Sequence, residues 1–80
     1  MVKKLNRDEI FDMGFEQVTA MLNSEHFYKS KELSDLREEI FDLHFKLDVE
    51  AKDFLQKGKL KARLAKVIDD YNQLVDEGYE

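Results

Sequence analysis

The stretch that decides the fold is Leu33–Lys59, LSDLREEIFDLHFKLDVEAKDFLQKGK. Leu33, Leu36, Ile40, Leu43, Leu47 and Phe54 recur in it at heptad spacing, with Glu50 the single polar interruption. That is the pattern of a helix burying one seam. Phe41, Phe45 and Val49, four residues apart, form a second stripe rotated away from the first. Together the two stripes cover more than half of the helix circumference. Upstream, Ser30 and Ser34 can each serve as an N-cap. Downstream, Gly58 suits a left-handed C′ position, and Lys57 is favourable beside the negative end of a helix dipole. The spacing therefore predicts a long helix over 31–57 that turns at Gly58. A rival reading runs the helix straight through Gly58 as a rod, because a glycine inside a helix costs only about 1 kcal/mol.

Working outward, a third helix is expected over 59–77. Leu60, Leu64, Val67, Ile68, Tyr71, Leu74 and Val75 share one of its faces, and Gly78 ends it. With a tight turn at Gly58, this helix and the second make an antiparallel hairpin. A first helix is expected over 7–22. Asn6 is its N-cap, and Glu9 stands where a capping-box carboxylate belongs. Ile10, Phe11, Phe15, Val18, Met21 and Leu22 fall on its inner face. Gly14 lies on that face too, where it would let a neighbouring helix approach closely. Residues 23–29 form the connection, with His26, Phe27 and Tyr28 as cover for the end of the core. Proline is absent, and nothing alternates with period two for long enough to make a strand. The expected fold is all-α: a small three-helix bundle occupying 1–80 as one domain. The second helix is its central element.

Composition narrows the function. There is no cysteine, which removes disulfides, thiolate metal sites and thiol catalysis together. With only His26 and His44 available, a four-ligand zinc site would need unusual carboxylate company, so no metal and no cofactor are expected. No apolar run approaches the roughly 20 residues that span a bilayer, and no apolar segment follows the basic N-terminus as a signal peptide requires. The reading is therefore cytoplasmic, without membrane contact. An 80-residue chain buries a modest core, so self-association into a homodimer is one way to complete it.

Catalysis is not expected. The carboxylates alternate with lysines at ion-pair spacing, as in Asp42–Lys46 and Asp48–Lys52. His44 and Asp48 are also four apart, but no nucleophilic serine or cysteine accompanies them. Leu36–Ile40 faintly resembles the opening helix of helical chorismate mutases. The resemblance covers a few residues of ordinary helix, and the arginines at 7, 37 and 63 do not supply the anion-binding set it implies, so that reading is rejected.

Binding is the remaining class. The leading expectation is a small protein-binding regulator or adaptor, acting through an apolar face of the second helix made by Phe41, Phe45 and Val49, with His44 beside them. Phenylalanines left open to water mark interaction sites. Charge suggests two alternatives. Between Lys46 and Lys66 seven bases face three carboxylates, while Val67–Glu80 holds five carboxylates and no base. A basic tip made by Lys57, Lys59, Lys61, Arg63 and Lys66 would suit nucleic acid. Against this stand the net charge of −5 and the scarcity of arginine, the usual base reader. The acidic end would suit an inhibitor or antitoxin-like protein docking on a basic partner.

Overall fold

Asn6 opens the first helix as expected: its Oδ1 accepts from the backbone N–H of Asp8 at 2.9 Å and of Glu9 at 3.2 Å. Two of the four amides that a helix start leaves without partners are thereby satisfied. A computed structural model describes residues 2–25 and 28–80 of the chain. Among the described residues there are four α-helices and no strand. They are α1 (Arg7–Asp12), α2 (Phe15–Glu25), α3 (Lys31–Phe45) and α4 (Phe54–Asp76), with a π-helical turn over Lys46–Glu50 prolonging α3. The all-α class holds, and so does the antiparallel hairpin, now made by α3 and α4.

Three boundaries differ from expectation, the smallest being that α2 runs on to Glu25, three residues into the expected 23–29 connection. The first helix is two helices. Met13 leaves the helical region (φ −82°, ψ 147°), and its N–H closes α1 on the carbonyls of Glu9 and Ile10. On one continuous helix Ile10, Val18 and Leu22 would spread over about 120°; with the break, all three are buried. Gly14 sits at this break, and not under a neighbouring helix. The nearest atom to a Cβ placed on it is Asp48 Oδ2 at 4.0 Å.

The second difference is the turn of the hairpin, which is Ala51–Asp53 and not Gly58. Ala51 N–H reaches back to Lys46 O at 2.7 Å, closing the π turn, and the chain then becomes extended (φ −70°, ψ 128°). Asp53 restarts the helix: its Oδ1 accepts from Gln56 N–H at 2.7 Å. An N-cap Asp with Gln three residues on is a capping-box pair, and it dictates a helix start more strongly than one exposed glycine dictates a stop. Gly58 is the fifth residue of α4, and among the described residues only Gly78 has a positive φ. The extents expected as 31–57 and 59–77 are thus 31–50 and 54–76, and Phe54 leaves the α3 seam for the head of α4.

The core is built from Ile10, Val18 and Leu22 on α1 and α2, Leu33, Ile40 and Leu43 on α3, and Leu64, Val67, Ile68 and Tyr71 on α4. Val2 is also buried, because the segment before α1 runs along α4. Asn72 holds it there like a strand partner, accepting from Leu5 N–H at 2.7 Å and donating to Leu5 O at 2.8 Å. Lys4 and Arg7 add exposed ion pairs to Asp76 and Asp69. At the same end, the hydroxyls of Tyr28 and Tyr71 meet at 2.7 Å. The Arg37 guanidinium lies over the rings of Tyr28 (5.2 Å) and Phe41 (5.5 Å) and donates to Asn23 Oδ1. Tyr28 therefore does cover the core end; His26 and Phe27 lie outside the described residues.

At the other end α4 outruns the bundle. Every residue from Phe54 to Lys59 is exposed, and inward-facing positions begin only at Leu60 and Leu64. A helix of 23 residues is about 34 Å long, against 38 Å for the whole molecule.

Two measurements check this architecture. No atom lies within 4 Å of a Cβ built on Gly58, so Gly58→Ala raises stability by about 0.5–1 kcal/mol in thermal or denaturant unfolding; a loss of stability would place a left-handed turn there instead. The Tyr71 hydroxyl is pushed far above its ordinary value of 10.0, by burial first and by the hydrogen bond to Tyr28 second. A raised acid is retained in full below the unfolded value and its contribution is lost as pH climbs past it. Unfolding free energy should therefore fall from about pH 10 upward, and fall less in Tyr71→Phe.

Candidate functional site

The α1–α2 break leaves a carbonyl at the end of one helix and an amide at the start of the next, and the last turn of α3 and the π turn after it supply a side chain for each. His44 is 2% exposed, and its Nε2 lies 3.0 Å from Ile10 O. A carbonyl can only accept, so Nε2 carries the hydrogen. Asp48 Oδ2 accepts from Phe15 N–H at 3.1 Å. Gln17 Oε1 takes Gly14 N–H at the same distance. With these contacts the start of α2 is capped although Gly14 has no side chain. The Phe15 ring is thereby fixed against α3, stacked near His44 (6.4 Å, 28°) and edge-on to Phe45 (5.2 Å, 73°).

Of the apolar residues expected to bind a partner, this places two in the open and two inside. Phe41 is half-buried, packed on the core beneath Arg37. His44 is enclosed and committed to Ile10. Phe45 is 37% exposed and Val49 56%; with Phe15 and the polar chains of Gln17 and Asp48 they line an open cleft beside the α1–α2 break.

The most exposed apolar residues lie a few positions further on. Phe54 is 90% exposed and Leu55 76%, side by side in the first turn of α4. Reading Phe54 as the last seam residue of a continuous helix hid it, and Leu55 fitted no stripe. The Asp53–Gln56 capping box was the signal that would have found both.

The basic residues expected at the tip do not form one patch. At 100° per residue, Lys57 and Lys61 fall on one flank of α4, and Lys59, Arg63 and Lys66 fall on the other. Lys61 Nζ stands 5.8 Å over the Phe11 ring. Arg63 borders a groove with Glu39, Asp42 and Lys46, and Lys46 is paired with Asp42 at 3.1 Å. At the acidic end, Asp69, Asp76 and Glu80 already face Arg7, Lys4 and Lys29. Among the described residues no group of three or more histidine, aspartate or glutamate side chains is placed to hold a metal ion. No helix there is long and apolar enough to cross a membrane.

No protein-family model, curated protein or solved structure matches this chain.

What the geometry offers is a surface, concentrated at the α3–α4 end: a cleft walled by Phe15, Phe45 and Val49, then an overhanging helix head carrying Phe54 and Leu55. Asp48 anchors the cleft wall. Asp48→Ala removes the α2 cap and lowers stability by about 1 kcal/mol in denaturant titration. Asp48→Asn, which can still accept from Phe15 N–H, loses markedly less.

Proposed function

We propose that this protein is a small, non-catalytic binding module that docks another protein through its α3–α4 end. The observation that carries this reading is the exposure of Phe54 and Leu55. A phenylalanine typically buries 150–250 Å² in a contact, and this one stands almost entirely in water beside a leucine. Apolar side chains grouped in this way, with polar residues around them, mark interaction sites, and aromatic anchors carry much of the energy of interfaces. Phe45 at the end of α3 and Val49 in the π turn are a second exposed apolar group. Lack of catalysis is supported by the setting of the best titratable pair: His44 is 2% exposed with its Nε2 on the Ile10 carbonyl, and Asp48 accepts from the Phe15 amide.

The test exploits the overhang. Phe54→Ser with Leu55→Ser removes the apolar head while touching none of the core, so circular dichroism and the unfolding midpoint should match wild type. Wild-type protein coupled to beads should recover a stoichiometric protein partner from the native cell lysate that the double variant does not. Equal recovery by both proteins overturns the reading. So does a collapse of the helical signal in the variant, which would make those side chains part of the core.

A further inference from the structure

We infer that the occupant of this end is an acidic amphipathic helix of another protein, lying along the exposed first half of α4. This rests on the docking surface proposed above and names the chemistry of what covers it. Between Asp53 and Asp69 there is no carboxylate in the sequence, while Lys57, Lys59, Lys61, Arg63 and Lys66 all fall within that stretch. Leu55, Lys59, Ala62 and Lys66 follow one another at spacings of four, three and four, so they form one outward stripe. All four are exposed or half-exposed, with Leu60 and Leu64 facing the other way. Among the described residues, Lys57, Lys59 and Lys66 enter no ion pair. The stripe thus presents an apolar anchor followed by unneutralised lysines, the complement of a helix with apolar residues at one end and carboxylates along the same face. The positive end of the α4 dipole adds to the preference for negative charge.

The same charges decide against other occupants. Two copies joined head to head would bring like lysines together, which is unfavourable. A planar anionic membrane would meet Asp48, Glu50 and Asp53 together with the lysines, since these carboxylates flank the overhang. A nucleic-acid backbone needs bases along one track, and here they lie on two flanks, with Arg63 turned to the Glu39–Asp42 groove.

A phage-displayed library of random peptides, panned on the full chain, tests the inference. Enriched peptides should be net negative with apolar residues at helical spacing. Their binding should weaken roughly tenfold in Lys59→Glu with Lys66→Glu, weaken as salt rises, and be lost in Phe54→Ser with Leu55→Ser. Neutral or basic peptides, binding that ignores the charge reversal, or no enrichment overturn the acidic-helix assignment and leave protein docking at this end standing. Peptides that bind the serine double variant as well as wild type overturn the docking surface itself. Three further measurements need no peptide. Tighter binding to phosphatidylserine vesicles, tighter binding to a single-stranded oligonucleotide, or a dimer in light scattering that the serine variant abolishes would each replace the acidic helix as occupant.

Discussion

Two side chains one helical turn apart, His44 and Asp48, hold the N-terminal third of this molecule in place. A helix that breaks exposes carbonyls at one cut end and amides at the other, and each needs a partner. Here the Ile10 carbonyl meets the His44 imidazole, and the Phe15 amide meets the Asp48 carboxylate. Spacing by four puts both groups on one side of α3, where the π turn begins. The break and its repair are therefore written in different parts of the chain. The direction of α2, the seat of Phe15 against Phe45, and the burial of Val18 and Leu22 all follow from that pairing.

The all-α fold and most of the core were legible from periodicity alone. Val18, Leu22, Leu33, Ile40, Leu43, Leu64 and Tyr71 sit where 3.6-residue spacing puts them, because one apolar face per helix leaves few ways to pack; Ile10 joins them through the α1–α2 break. What escaped was of two kinds. Local punctuation misleads at Gly58, a conspicuous glycine that lies inside α4, while the quieter Asp53–Gln56 pair starts that helix. Long-range polar contacts were invisible in principle. Nothing near Asn72 announces that it will bind the backbone of Leu5, and nothing near His44 announces Ile10. The pair His44–Asp48 was visible as a spacing, but spacing alone does not say what the two groups face.

The candidate site was half legible for the same reason. Of the second stripe on the central helix, Phe45 and Val49 are exposed. Phe41 was claimed by the core, and His44 by a carbonyl. The larger exposed pair, Phe54 and Leu55, became visible only once the chain was known to turn before them. Charge behaved similarly. The excess of bases is real, but the helical rotation divides it between two flanks, and at the acidic end Lys4, Arg7 and Lys29 pair with Asp76, Asp69 and Glu80.

The overhang of α4 has a consequence of another kind. Residues 54–59 touch little of the bundle, so the chain separates the positions that make it fold from those that meet the outside. Substitutions along the head of α4 can alter what is recognised while the core downstream holds its arrangement. Selection can therefore retune this surface in small steps without passing through misfolded ancestors. A small domain with little stability in reserve gains most from such a division of labour.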